Sequence, residues 1–246
     1  MSDRGNALFI ILVTIVLLGM LTYTVVSTSD ILDQNTDSQN AYMQASEILR
    51  HAGDIDRAIE KVMLVNNCTL AEISFDHEDR EDFDTTGYYQ NTLSRPDNSC
   101  HIFDNAGGGA AYQVPPQSAG VEGGTEYNFH SNLEVSEVGA NGQSDLIMTT
   151  FVNQDVCYHI NGILDGENPS GNPPDFSAAA SLNVPANADE SYPDRLPNSD
   201  GFNAPSFTIG GDGAGEAVVL KGRPTGCFLA SNSLGKYIFY HVVVSR

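Results

Sequence analysis

The chain has 246 residues, of which 32 are acidic and 11 basic, so its formal net charge is −21. This charge argues against nucleic acid or an anionic membrane surface as a partner, since phosphate contacts need clustered Lys and Arg side chains. The chain contains 23 Gly, 11 Pro and no Trp, and only 17% of its residues are charged. Such a composition indicates a loop-rich protein that contains β-structure.

An apolar run near the amino end is the clearest pattern in the chain. Residues 7–26 contain no charge and no Pro. Twenty helical residues at about 1.5 Å each span the roughly 30 Å hydrocarbon core of a bilayer. The run therefore predicts a transmembrane helix over 6–26. The alternative is a cleavable secretory signal, for which 27–29 (Ser-Thr-Ser) would be a weak cleavage site.

The charges beside this run predict its orientation. Arg4 precedes it, whereas Asp30, Asp33 and Asp37 follow it. Positive charges favour the cytoplasmic side of a membrane helix. We therefore expect a cytoplasmic amino terminus and export of the remaining chain.

A second helical pattern covers 41–63. Seven apolar residues recur at alternating steps of four and three, which places them on one stripe of a helix: Ala41, Ala45, Ile48, Ala52, Ile55, Ile59 and Val62. Charged residues occupy the other faces, and His51 is predicted to be solvated there. No Pro occurs before residue 96, so one long helix over 6–65 is expected. Two helices joined by a polar linker are the alternative.

Residues 66–246 are predicted to form a disulfide-bonded, β-rich globular domain. Its four cysteines lack CxxC spacing, which argues against a zinc ribbon or a redox motif. An even number of cysteines outside the membrane indicates two disulfides, with free buried thiols as the alternative. Three pairings are possible, and the one that joins chain neighbours is favoured: Cys68 with Cys100 and Cys157 with Cys227.

Several elements of this domain are predicted from local patterns. Strands are expected within 126–138, at 146–152 and in a carboxyl-terminal hairpin of 227–229 with 237–244. Asn153 is expected to cap a short helix that ends at Leu164. The segment 165–201 holds six Pro and is predicted to be an irregular surface loop.

This order of parts resembles the type IV pilin and pseudopilin superfamily. The resemblance is carried by Arg4-Gly5 ahead of an apolar helix, a continuing amphipathic helix and a disulfide-bonded carboxyl-terminal domain. It implies an α+β fold in which a long helix, first transmembrane and then amphipathic, packs on a mainly antiparallel β-sheet. The helix begins atypically, because Asn6 stands where the family has an aromatic residue and Ile10 stands where it has Glu.

The resemblance also implies processing and assembly. Residues 1–5 would be a leader removed by prepilin peptidase between Gly5 and Asn6, with methylation of the new amino terminus. Apolar side chains leaving the bilayer must be buried again, and about 1.5 to 3 kcal/mol per side chain gives tens of kcal/mol for the whole run. The helix-core positions expected to pack against neighbouring subunits are Phe9, Leu12, Ile15, Leu18 and Gly19.

No catalytic pattern is present. The chain lacks HExxH, GxSxG and phosphate-loop motifs, and its six His are scattered singly. We therefore expect no enzyme activity and no cofactor. An acidic segment is a weak calcium candidate, with a solvated acidic loop as the favoured alternative; its possible ligands are Asp76, Glu78, Asp79, Asp82 and Asp84.

The sequence thus predicts a structural subunit of an extracellular type IV pilus-like filament. The subunit would lie in the inner membrane with its carboxyl-terminal domain exported, and the assembly machinery would then place it in a helical homo-oligomer on the cell surface. The alternatives are a single-span anchored adhesin or binding protein, or a minor pseudopilin of a secretion system. An anchored exported enzyme is the least favoured.

Overall fold

The computed structural model describes residues 4–79, 91, 93–116, 119, 126–177, 205, 207–212, 217–231 and 235–246. These residues form two compact units, Met1–Ala41 and Tyr42–Arg246. Helix α1, Arg4–Leu64, belongs to both units, and we call Arg4–Ala41 its first half and Tyr42–Leu64 its second half. The prediction of one continuous helix, rather than two joined by a linker, agrees with this element.

The second unit contains a five-stranded sheet and a second helix. Its elements follow α1 in the order β1 (Asn128–Val135), β2 (Asp145–Val152), α2 (Gln154–Ile163), β3 (Phe207–Ile209), β4 (Thr225–Ala230) and β5 (Lys236–Val244). The spatial order of the strands is β3-β1-β2-β5-β4. Every residue of β2 is buried, as expected for a central strand covered on both faces.

The predicted fold class is wrong in two respects. The sheet is mixed, because β3 pairs parallel with β1 while the other pairs are antiparallel. Among the described residues no long apolar helix packs on the sheet either; the ten-residue α2 packs beside β4 and β5. Length and apolarity sufficient to cross a membrane do not occur together in any helix of the described residues.

A physical reason accounts for the mixed sheet. Antiparallel neighbours such as β4 and β5 need only a short turn, whereas a parallel pair needs a long crossover. The stretch between β2 and β3 carries α2 and the Pro-rich segment, and it supplies that length. The chain can therefore return to the outer edge of β1 in a parallel direction.

Most local predictions in the second unit agree with the structure. The helix predicted to begin at Asn153 is α2, and the Asn153 Oδ1 accepts a hydrogen bond from the Val156 N–H at 2.9 Å. The predicted carboxyl-terminal hairpin is β4 with β5. All seven residues of the predicted stripe are buried, with at most 5% of each exposed. His51 is also buried, at 1% exposure, so its prediction as a solvated residue is wrong.

Loops contact the second half of α1. Its Lys61 Nζ donates to the Gly108 carbonyl at 3.2 Å, and the His51 ring lies against the Tyr127 ring. Just beyond the helix, Arg95 donates to the carbonyl oxygens of Asn66 and Asn67, both at 2.9 Å. These bonds satisfy carbonyls near a helix end, where backbone acceptors lack partners within the helix.

Candidate functional site

The described part of the first half of α1 presents apolar side chains to the surface. Between Val13 and Leu18 every residue is exposed, and Ile15, Leu17 and Leu18 expose 65%, 61% and 59% of their area. Large apolar side chains in a contiguous exposed group usually mark a contact surface. Two of the predicted assembly positions, Ile15 and Leu18, therefore lie where a second molecule has access to them.

The remaining predicted positions of this region are less defined. Phe9, Leu12 and Gly19 belong to α1, but their side chains lie outside the described part of the structure. The same holds for Gly5 and Asn6, the residues of the predicted processing site. Processing at this site and packing by these three residues stay predictions.

Both predicted disulfides are confirmed. Cys68 is bonded to Cys100 with their Cα atoms 5.9 Å apart, and Cys157 is bonded to Cys227 with their Cα atoms 5.3 Å apart. The first bond closes the loop whose Arg95 contacts the end of α1. The second joins α2 to β4, and Asn161 reinforces that junction by bonding both the N–H and the carbonyl of Cys227. The two bonds therefore fasten different parts of the second unit.

An open cavity of about 430 Å³ lies beside the predicted cation site. Asp76 and Glu78 line it, and the structure adds Asp104, which the sequence analysis missed. The Asp104 carboxylate accepts hydrogen bonds from the Ala106 N–H at 2.8 Å and from Asn98 at 3.0 Å, and these bonds lower the pKa of Asp104. The cavity is therefore negatively charged.

The other proposed calcium ligands do not join this cavity. Asp79 donates its N–H to His77 Nδ1 at 3.1 Å and is not among the lining residues, while Asp82 and Asp84 lie outside the described residues. His77 is stacked on Tyr112 with the ring centroids 4.5 Å apart. In the described ranges, no three His, Cys, Asp or Glu side chains come together as a metal-binding group. Calcium binding stays a prediction without geometric support.

A line of three polar side chains connects α1 to the sheet. The His241 Nε2 lies 2.9 Å from the Asp56 carboxylate, and its Nδ1 lies 2.7 Å from the Thr225 hydroxyl. An ionised carboxylate only accepts hydrogen bonds, so Nε2 donates to Asp56 and, in the neutral ring, Nδ1 accepts from Thr225.

Threonine, histidine and aspartate in a row are also the parts of a nucleophilic site. Here, however, only 11% of the His241 side chain is exposed. The three residues are one from α1 and a cross-strand pair from β4 and β5. We interpret the line as a structural connection. Sequence reasoning missed it because residues 56 and 241 are 185 positions apart.

Comparisons of the chain with protein-family models, with curated proteins and with solved structures find no significant match. The function must therefore be argued from the residues of this chain. Two features bear most directly on function: the exposed apolar group in the first half of α1, and the acidic second unit with its two disulfides.

Proposed function

We propose that this protein is a structural subunit of an extracellular type IV pilus-like filament, assembled through its apolar amino-terminal segment. The observation that carries the proposal is the exposed apolar group at Val13–Leu18. Burying a side chain such as Ile15 or Leu17 contributes about 1.5 to 3 kcal/mol. Repeated over an apolar run of twenty residues, this contribution supports a noncovalent polymer of identical chains.

The second unit supports the part of the proposal that concerns export. Two disulfides persist in oxidising compartments and are rare in the reducing cytosol. The whole chain has a net charge of −21, most of it in the second unit, and this charge favours solubility and disfavours close contact between acidic surfaces. The apolar segment is then the part of the chain with a driving force for association, and the acidic unit is displayed.

The experiment starts from the processing site. Cells that express the full chain are sheared, and the sheared fraction is examined by mass spectrometry and electron microscopy. We expect fibres whose subunits begin at Asn6. A Gly5→Leu variant should stay in the cell fraction with Met1 intact, because a bulky residue at the end of the leader blocks cleavage. A Ser2→Leu variant is the matched control, since it makes a similar change away from the cleavage position.

Two results would contradict this proposal. Intact chains found exclusively in membranes, with no fibres, would favour the anchored binding protein. Fibres formed by the Gly5→Leu variant at the normal level would show that the peptidase step is not required.

A further inference from the structure

His51 is an unusual residue in the second half of α1. Its side chain is 1% exposed, and neither ring nitrogen has a hydrogen-bond partner among the described residues. Its ring lies 4.6 Å from the Tyr127 ring, centroid to centroid. Most buried polar groups are hydrogen-bonded, and an unbonded one costs free energy. The ring therefore occupies a buried contact between the helix and the segment before β1.

In the part of the chain that the structure describes, few charges face this ring. Glu47, Arg50 and Asp54 are near it on its own helix, and the neighbour on the other side of the contact is the Tyr127 phenol. The adjacent Glu126 carboxylate accepts a hydrogen bond from the Tyr112 hydroxyl at 3.0 Å. None of these groups forms a hydrogen bond with the His51 ring, so a charge there would lack a direct partner.

We propose that His51 is an acid-sensitive switch that loosens the second half of α1 from the loops that cover it. When the imidazole binds a proton, its charge is disfavoured in a buried contact without a hydrogen-bond partner, so protonation shifts the turn around His51 towards a state open to water. Ile48, Ala52 and Ile55 lie on neighbouring turns of the same buried stripe and would be exposed with it. Acid would then expose an apolar helical surface on a unit that keeps its disulfides.

The electrostatics agree with this contact geometry. Burial is the main cause that lowers the pKa of His51 to about 4; Arg50 acts in the same direction and Asp54 opposes both. The opened ring would have the ordinary value of 6.5, so the opened state binds the proton first as the pH falls. The contribution of the neutral His51 ring to the stability of the closed contact is therefore complete above about pH 6.5 and is lost between pH 6.5 and pH 4.

A second histidine sharpens the expected location of the opening. The His241 Nε2 lies 2.9 Å from the carboxylate of Asp56, five residues after His51, so a side-chain bond joins the next turn of the helix to β5. Opening should begin around Ile48–Ile55 and leave the next turn of the helix in place.

Hydrogen exchange read by mass spectrometry tests the proposal on the full chain. After correction for the intrinsic exchange rate, opening of 45–55 should increase about 120-fold from pH 7 to pH 4. In His51→Leu this increase should be absent, because Leu fills the contact and does not titrate. His101→Leu is the matched control and should behave like the natural chain. Residues 145–152 of β2 should stay protected throughout.

Two results would overturn the proposal: an equal increase in His51→Leu, or a loss of protection that includes β2. If His51→Leu does not fold, the natural chain still decides the question by proton NMR. A His51 ring that stays neutral down to about pH 4 supports the switch, and a ring that titrates near 6.5 in the folded protein overturns it. The outcome does not depend on whether the chain forms filaments.

Discussion

The two halves of α1 place similar side chains in opposite environments. Ile15, in the first half, exposes 65% of its area, whereas Ile55, in the second half, is fully buried. Both halves are helical, so the difference does not arise from backbone conformation. The second half contacts loops and is hydrogen-bonded to the sheet through Asp56 and His241. The first half, where its side chains are described, exposes large apolar side chains. One helix thus combines a part that stabilises the fold with a part available for association.

The largest effect is expected when a charge is placed in each half. Ile55→Asp should destabilise the second unit by at least about 4 kcal/mol, because it buries an unpaired carboxylate and removes core packing. Ile15→Asp should change that stability by less than about 0.5 kcal/mol, since exposed positions tolerate substitution. It should nevertheless abolish filament formation. Urea unfolding followed by near-ultraviolet circular dichroism, with microscopy of sheared fibres, measures both outcomes.

The same pair of variants can also contradict the proposed difference between the two halves of α1. If Ile15→Asp assembled normally, the exposed apolar group would not be the association surface. If Ile55→Asp unfolded at the same urea concentration as the natural chain, the second half of α1 would contribute little to the fold.

Removing each disulfide in turn should show which of the two stabilises the second half of α1. Cys68→Ser with Cys100→Ser and Cys157→Ser with Cys227→Ser should each cost about 4 kcal/mol, within a usual range of about 2 to 5. The first pair of changes should reduce hydrogen-exchange protection mainly in Tyr42–Leu64, because that loop contacts the end of α1. The second should act mainly on α2 and β4.

Identical protection maps for the two double variants would contradict this separation. They would show that the second unit opens as one block, so that neither disulfide has a local role.

What the sequence predicted well depends on local periodicity. The stripe from Ala41 to Val62 repeats at helical spacing, and its burial follows from that repeat. Asn153 ahead of an apolar pattern is a local signal for a helix start, and it caps α2. The cysteine pairing was also correct, because each bond joins neighbours in the order of the chain.

What the sequence missed depends on distant contacts. Strand β3 has only three residues, too few to show a period, and its parallel partner β1 lies more than seventy positions earlier. The bond from Asp56 to His241 has no local signature. His51 was misjudged because a polar residue type usually predicts exposure, whereas here its position beside the stripe decides its burial. The apolar run in the first half of α1 is visible in the sequence, but the exposure of Ile15 and Leu18 required the structure, and their role in assembly stays a prediction.

The smallest effects are expected for substitutions at two glycines: Gly108, in a loop that contacts α1, and Gly53, within α1. A Cβ at Gly108 would lie 2.8 Å from the Ala58 Cβ and 2.5 Å from the Ile102 carbonyl oxygen, so this loop reaches the second half of α1 because it lacks a side chain. Gly108→Ala should therefore destabilise the second unit by about 1 to 3 kcal/mol through overpacking. A Cβ at Gly53, inside the helix, would meet nothing within 4 Å.

Gly53→Ala is thus the matched control, with the opposite expected sign. It should stabilise the unit by about 0.5 to 1 kcal/mol, because Ala restricts the unfolded chain and favours helix. Urea midpoints at constant slope measure both changes. If both variants were stabilised, the loop would yield to the added methyl group, and close packing against Ala58 would not explain how the second half of α1 is covered. If Gly108→Ala destabilises the unit while Gly53→Ala stabilises it, close packing of the Gly108 loop against Ala58 helps to bury the second half of α1.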